Sequence, residues 1–263
     1  MSRPPAEQQS RRYPARLASL SRLWLAQLIR APSDPQHEAA ARQMLRQMAW
    51  LLPLGAVVVV VLMVGFDATE IGWMPPRGTP SLWPVRILTD FGKDAYVLWT
   101  LAGLLLAIAL AVPLSRAAAR HRLLRLGVAI QYLFIAVSVP VAIAQVVKWA
   151  VGRGRPFVGG KADAFNFAPF NGTEAYFSLP SGHAVTAFAL AFGVAAIWPR
   201  ARIAMAVYAV VIAMTRLVLL AHHPSDVVAG AVIGVVGAIG ARHWFAARRL
   251  GFAIGAKGEI VPL

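Results

Sequence analysis

The sequence predicts an all-α, polytopic membrane protein in which six membrane-spanning helices form one bundle. Three observations support this prediction. The 263 residues are 58% hydrophobic and only 14% charged, with a mean hydropathy of +0.61, whereas soluble domains are about one quarter charged. Six apolar runs approach or exceed the length that crosses a hydrocarbon core of about 30 Å. Lysine and arginine also concentrate in alternate connections between these runs.

The chain divides into three regions by composition. We expect residues 1–47 to form a cytoplasmic helical extension, 48–246 to form the six-helix membrane domain, and 247–263 to form a cytoplasmic tail. The fourth apolar run is the shortest. The predicted spans are 48–66, 95–114, 123–147, 183–199, 203–221 and 226–246.

The extension contains a pattern typical of an amphipathic helix. Leu20, Leu23, Trp24 and Leu28 recur at helical spacing beside arginines, which suits a helix lying on an anionic membrane surface. A helix packed on the cytoplasmic loops is an equally good interpretation. The triplet at 33–35, Ser-Asp-Pro, then predicts the start of a second helix that continues into the first span.

Orientation follows from the positions of the 26 lysines and arginines. Most of them precede the first span, follow the last, or lie in the connections after the second and fourth spans, so we expect both termini in the cytoplasm. The protein is then a multi-pass protein of the inner (plasma) membrane. The net charge of +15 follows this topology, and we therefore expect no nucleic-acid partner. The chain has no cysteine, which excludes disulfide, zinc-thiolate and thiol chemistry.

The two long extracytoplasmic connections differ in character. The first, 67–94, is rich in proline and carries Trp73 and Trp83, which favours the membrane interface; it could form a lid or merely link two spans. The second, 148–182, holds too many aromatic residues for a solvated loop. Some of them should pack on the bundle or contact lipid.

Small residues recur on the last span. Gly230, Gly234 and Gly237 share one side of the predicted helix, and this spacing predicts close packing against a neighbouring helix.

Three polar clusters interrupt the otherwise apolar chain, each at the extracytoplasmic end of a span. The first cluster contains two cations. Insertion of a lysine or arginine deep in a bilayer costs about 2.5 to 3.5 kcal/mol on insertion scales, so such residues usually mark function. Taken alone, each cation would more often be a residue that snorkels to the interface than a catalytic one. Together with Arg216, however, they would repel one another unless an anion such as phosphate sat among them. The clusters are Lys148 with Arg155-Pro156, Pro180-Ser181-Gly182-His183, and Thr215-Arg216 with His222 and Asp226.

The second cluster reads as a turn that opens a helix. Ser181 can cap the fourth span, Gly182 allows close backbone approach, and the free amides of a helix N-terminus favour an anion. His183 would then project towards that anion from the first turn. A capping serine beside a bystander histidine is the simpler alternative.

The third cluster supplies a candidate nucleophile. Asp226 follows His222 by four residues and can accept a hydrogen bond from one ring nitrogen, which leaves the other free to attack phosphorus. His223 is a rival at the neighbouring position. A structural histidine pair also remains open on these residues alone.

Together the clusters resemble the three signature motifs of the type 2 phosphatidic acid phosphatase (PAP2) superfamily, which also includes vanadium haloperoxidases. In the first motif, Lys148 is followed after six residues by Arg155-Pro156, and the second motif is the tetrapeptide 180–183. In the third, Arg216 is followed after five residues by His222 and, after three more, by Asp226. The resemblance covers residues 148–226, and the six-span layout extends it over 48–246. One departure is Thr215, where the family usually has serine.

The resemblance implies the roles of the site residues. His222, rather than His223, is the nucleophile that forms a phosphohistidine; Asp226 orients it, and His183 is the general acid. The phosphate oxygens are held by Lys148, Arg155, Ser181, Gly182 and Arg216, with Thr215 assisting. Neither a metal nor another cofactor is expected.

The implied activity is hydrolysis of a lipid phosphate or diphosphate by a bacterial membrane phosphatase whose site faces the extracytoplasmic side. The candidate substrates are undecaprenyl diphosphate, which is slightly favoured, phosphatidic acid, phosphatidylglycerol phosphate and a lipid A phosphate. A phosphotransferase with the same phosphohistidine is the alternative, and a non-catalytic anion-binding protein is a weaker one. Six apolar spans disfavour a haloperoxidase. The sequence does not indicate an oligomeric state.

Overall fold

The computed structural model describes residues 6–263, with side chains from residue 13 onward. The first five residues of the predicted 1–47 extension lie outside the described residues. Nine α-helices and one two-stranded antiparallel hairpin make up the described part. The helices are α1 (Ala6–Ile29), α2 (His37–Gly65), α3 (Asp67–Trp73), α4 (Trp83–Asp90), α5 (Asp94–Ala111), α6 (Ala117–Val151), α7 (Gly182–Ile197), α8 (Arg202–Val218) and α9 (Pro224–Ala247), and the strands are β1 (Phe252–Ile254) and β2 (Ile260–Pro262).

The predicted fold class is confirmed: the chain is an all-α, polytopic membrane protein. Five helical stretches of the described residues are long and apolar enough to cross a membrane. They contain α2, α5, α6, α8 and α9, and the second of them also includes α4. The helix α7 is apolar but only 16 residues long, in keeping with the short fourth run. The helix α2 begins at His37, so the first span continues a helix that starts within the extension.

Close packing of α9 against its neighbours sets the centre of the bundle. A methyl group at Gly230 would lie 2.5 Å from the carbonyl oxygen of Ser181, and one at Gly237 would lie 2.6 Å from Pro140 in α6. Gly234 similarly approaches the backbone of Val185. The prediction of close packing is therefore confirmed, and α9 lies directly against the start of α7.

A left-handed residue ends α6 and turns the chain back over it. Gly152 has a φ of 57°, and a side chain there would collide with the carbonyl of Ala168. The amide of Ala168 in turn donates to the Gly152 carbonyl at 2.7 Å. In the same connection Phe170 packs edge-to-face on Trp149, with ring centroids 4.7 Å apart, while Phe157 stays exposed. The expected packing on the bundle is thus observed for Phe170, while contact of the exposed aromatic residues with lipid stays a prediction.

The connection 67–94 is folded into two short helices. Trp73 and Trp83 are exposed, as expected of interfacial tryptophans. Asp67 at the start of α3 and Thr89 at the end of α4 are buried instead. This connection therefore contributes side chains to the interior at this end of the bundle and is more than a linker.

The helix α1 packs on the opposite end of the bundle. Leu20, Trp24 and Leu28 are partly buried against the main apolar core, and the indole of Trp244 donates to the carbonyl of Leu28 at 3.0 Å. Leu25 is 65% exposed on another side of α1. The packing interpretation therefore holds for one face of α1.

Candidate active site

The three clusters meet at one end of the bundle. Lys148 lies in the last turn of α6, and a methyl group at Gly182 would stand 3.0 Å from its Nζ. The amide of Ser181 donates to the backbone carbonyl of Asp226 at 2.9 Å, which ties the start of α7 to the start of α9. His222 lies in the turn between α8 and α9, beside both. Residues up to 78 positions apart in the chain thus form one site.

Three cations line one side of this site. Lys148 and Arg216 are each only 8% exposed, and the charges of Lys148, Arg155 and Arg216 repel one another. Burial lowers the pKa of Arg155, an effect that the exposed carboxylate of Glu174 opposes from 3.9 Å. Buried cations of like sign are stabilised when an anion lies between them. The arrangement is therefore suited to a phosphate group.

Two polar atoms at the start of α7 are buried without a partner among the described residues. They are the Oγ of Ser181 and the Nε2 of His183. Ser181 occupies the N-cap position but its side chain makes no capping hydrogen bond, so the expectation of a side-chain cap was wrong. The Ser181 amide, bound to α9, fixes this residue instead. Its hydroxyl and the His183 ring remain available to a ligand.

Arg216 is held by a threonine that the sequence did not single out. Its NH1 donates to the Oγ1 of Thr89 at 2.7 Å. The Oγ1 of Thr215 lies 2.9 Å from the same Thr89 oxygen and 2.6 Å from the carbonyl oxygen of Ile212. The Thr215 hydroxyl is therefore engaged within the protein, where it helps to fix α4 against α8.

His222 is oriented by a backbone carbonyl. Its Nδ1 lies 2.8 Å from the carbonyl oxygen of Ser178 and 3.9 Å from the Oδ2 of Asp226. A carbonyl can only accept, so Nδ1 carries the proton and the lone pair resides on Nε2. The direct hydrogen bond expected between His222 and Asp226 is not made, because Ser178 lies between them. Asp226 reaches Ser178 itself, accepting from its hydroxyl at 2.5 Å.

The surroundings of the two adjacent histidines differ. Burial lowers the pKa of His222 to about 4, with Asp226 opposing this and Arg216 reinforcing it, so the ring is neutral near pH 7. Burial also lowers the pKa of His223, and the nearby charges there are those of Asp226, Arg153 and Asp67. Asp226 thus lies near both buried rings, whereas the site cations Arg216 and Arg155 act on His222 alone among the two.

Four residues that sequence reasoning missed complete the site: Asp67, Thr89, Arg153 and Ser178. Arg153 and Asp67 are fully buried and form an ion pair at 2.7 Å. Asp67 did carry a signal, since it directly follows the first apolar run and an acidic residue at that depth is costly. Thr89 and Ser178 carry none, because single hydroxyl residues are common in connections.

Comparison with known proteins agrees with this geometry. A family model described as the PAP2 superfamily matches residues 128–250, which include all three clusters. A lipid A 1-phosphatase of Rhizobium johnstonii is 33% identical over 193 residues, covering 72% of this chain and 76% of that protein. The chain belongs to the PAP2 superfamily.

A second PAP2 relative, a lipid A 1-phosphatase of Rhizobium etli, is 41% identical over 103 residues, which cover 39% of this chain and 44% of that protein. No solved structure matches the chain. With these relatives and its apolar helices, this PAP2 protein is an integral membrane lipid phosphatase.

Proposed function

We propose that this PAP2 protein removes the 1-phosphate of lipid A. The observation that carries the proposal is that both relatives, from two Rhizobium species, are lipid A 1-phosphatases, one of them alike over most of its length. Lipid A thereby replaces undecaprenyl diphosphate as the substrate that we favour. Phosphatidic acid and phosphatidylglycerol phosphate become comparison substrates.

The first chemical step is attack by His222 on the phosphorus. The Nδ1 proton is held by the Ser178 carbonyl, so Nε2 offers its lone pair to phosphorus. As a P–N bond forms, the bond between phosphorus and the lipid oxygen breaks. His183, whose Nε2 has no partner among the described residues, donates a proton to that oxygen. A phosphohistidine and a lipid alcohol result.

The second step is hydrolysis of the phosphohistidine. His183, now neutral, accepts a proton from water as the water attacks phosphorus, and the P–N bond breaks to release inorganic phosphate. Lys148, Arg155 and Arg216 balance the charge on the phosphate oxygens in both steps, together with the hydroxyl of Ser181 and the amide of Gly182. Thr215 assists through Thr89, which contacts Arg216.

Turnover is proposed to be independent of metal ions. Three fixed cations supply the charge that metals supply in other phosphoryl-transfer sites. The described residues also contain no group of three histidine, aspartate or glutamate side chains that could hold a metal ion. Chelators should therefore leave the rate unchanged.

The test is phosphate release by the protein purified in detergent, measured over a panel of lipid A, undecaprenyl diphosphate, phosphatidic acid and phosphatidylglycerol phosphate. We expect lipid A to be the fastest substrate and vanadate, a phosphate mimic, to inhibit. His222→Ala should abolish turnover, because it removes the ring that is proposed to form the phosphohistidine. The matched control is His243→Ala, which removes a histidine near the end of α9, away from the three clusters, and should remain active.

Three outcomes would contradict the proposal. Substantial turnover by His222→Ala would exclude the phosphohistidine mechanism. Loss of phosphate from lipid A only after a second lipid acceptor is added, with the phosphoryl group recovered on that acceptor and not as free phosphate, would indicate the phosphotransferase alternative. Preference for undecaprenyl diphosphate over lipid A would return the substrate assignment to the one that the sequence slightly favoured.

A further inference from the structure

The side chain of Arg153 forms a buried bridge between two carboxylates. Its NH1 donates to the Oδ1 of Asp226 at 2.6 Å and its NH2 donates to the Oδ2 of Asp67 at 2.7 Å. The carbonyl of Ala164 and the hydroxyl of Ser225 complete its contacts. All three ionised side chains are fully buried. Arg153 thus joins α3, the connection 148–182 and α9 at one point.

The same network reaches the nucleophile in two further contacts. The Oδ2 of Asp226 accepts from the Ser178 hydroxyl at 2.5 Å and from the His223 amide at 2.9 Å. The Ser178 carbonyl then accepts from the Nδ1 of His222 at 2.8 Å. Asp226 therefore acts on His222 through Ser178, and its own position depends on Arg153.

Asp67 also fixes the backbone from which Asp226 projects. Its Oδ1 accepts from the amide of Ser225 at 3.0 Å, and its Oδ2 contacts the Ser225 hydroxyl. Ser225 is the residue before Asp226 in the first turn of α9. Loss of the Asp67 carboxylate would free both the Arg153 guanidinium and this turn.

The charges of the network have a catalytic consequence. Two carboxylates and one guanidinium leave one negative charge in excess beside His222. Without Asp67, the Arg153 charge would neutralise Asp226 alone. When the imidazole attacks phosphorus it becomes positively charged, and a preorganised negative charge in a water-poor site stabilises that state.

We propose that Arg153, Asp67 and Ser178 are positioning residues for the nucleophilic His222, and that Asp67 shares the Arg153 charge so that Asp226 remains a net anion beside the reacting ring. This inference rests on the proposed function. A buried ion network is a weak source of stability, since apolar residues of similar volume often serve as well or better. Its position beside the nucleophile indicates that it serves the reaction.

The experiment compares Asp67→Asn with Asp34→Asn. Asp34 is a matched control, because it is also a buried aspartate bound to an arginine, Arg249 at 3.3 Å, but lies at the other end of the bundle. For Asp67→Asn we expect kcat to fall about 10- to 100-fold, the loss that a small misplacement of a reacting group causes. The inhibition constant for vanadate should change by less than about 2-fold, because the three cations are intact. Asp34→Asn should keep wild-type kcat.

Three further variants distinguish a positioning role from a role in folding. Ser178→Ala keeps the carbonyl that holds His222 but removes the tether to Asp226, so we expect a smaller fall in kcat with an unchanged thermal midpoint. Arg153→Lys keeps one cation and should retain more activity than Arg153→Gln. Rapid-quench trapping should show slower formation of phosphohistidine in each slow variant.

Failure of this inference and failure of the proposed function would give different results. A folded Asp67→Asn protein with kcat within about 2-fold of wild type would overturn the inference. So would a kcat loss matched by an equal loss of vanadate affinity, or Arg153→Lys and Arg153→Gln of equal activity. A wild-type protein that releases no phosphate from any lipid of the panel would instead overturn the proposed function.

Discussion

Glu70 illustrates at the residue scale what burial does to a carboxyl group near the site. It is 2% exposed, and neither carboxylate oxygen has a partner among the described residues. Burial first, and the charge of Asp67 second, raise the pKa of Glu70 to about 7 from its ordinary 4.5. A raised pKa means that the folded protein binds this proton more tightly than the unfolded chain does.

Stability should therefore fall as pH rises. Below pH 4.5 Glu70 is neutral in both the folded protein and the unfolded chain, so it does not lower the free energy of unfolding. As pH rises from 4.5 to about 7, the unfolded chain ionises Glu70 more readily than the folded protein does, and the free energy of unfolding falls. We expect Glu70→Gln to raise the thermal midpoint at pH 8 but not at pH 4.5. Glu38→Gln, at an exposed glutamate, is the control. Equal pH dependence of the midpoint in both variants and wild type would contradict the assignment.

At the element scale, the sequence indicated residues that stand at the ends of helices but not the contacts between residues that are distant in the chain. Motif spacing located Lys148, Arg216 and His222, because each stands at the end of its own apolar run. It could not locate Asp67 as the partner of Arg153, because 86 residues separate them and they meet only where the connection 148–182 folds against the starts of α3 and α9. The prediction of a direct hydrogen bond between His222 and Asp226 was wrong for a similar reason. Ser178, on another segment, makes a hydrogen bond to each of them instead.

The connections show the same limit. Prolines and tryptophans predict an interfacial segment at 67–94, and both tryptophans are exposed, but the sequence did not indicate that Asp67 and Thr89 are buried against α9 and α8. Sequence periodicity contains no information about such contacts. The helices of the bundle were predictable because apolar length alone determines whether a segment can span the bilayer.

The helix α1 leads to an element-scale prediction. One face packs on the bundle, while Leu25 and Ile29 are exposed and arginines flank them. We propose that this exposed face lies on anionic lipid, where each arginine near the surface contributes about 1 kcal/mol. In nanodiscs, hydrogen exchange within α1 should be slower with phosphatidylglycerol than with phosphatidylcholine.

Charge-neutral variants test whether the arginines cause this effect. The double variant Arg16→Gln, Arg22→Gln should exchange at the same rate in both lipids. The double variant Arg200→Gln, Arg202→Gln removes two exposed arginines from another connection and should behave as wild type in α1. A lipid effect that survives in the first variant would exclude electrostatic binding by α1.

At the scale of the whole molecule, the position of the site and the distribution of basic residues together predict which leaflet supplies the substrate. All three clusters lie at the end of the bundle opposite α1, and most of the 26 basic residues lie towards the α1 end. The positive-inside rule predicts that this end faces the cytoplasm. We therefore propose that the site opens to the extracytoplasmic leaflet, where a lipid can present its phosphate without leaving the bilayer.

The absence of cysteine from the sequence allows a clean test of this topology. Ala162, in the connection beside the site, and Ala256, in the hairpin after α9, are both exposed. In intact spheroplasts, a maleimide that cannot cross membranes should label Ala162→Cys but not Ala256→Cys. After the membrane is permeabilised, both should be labelled, which shows that each thiol is accessible. Labelling of Ala256→Cys alone in intact spheroplasts would invert the topology and place phosphate release in the cytoplasm.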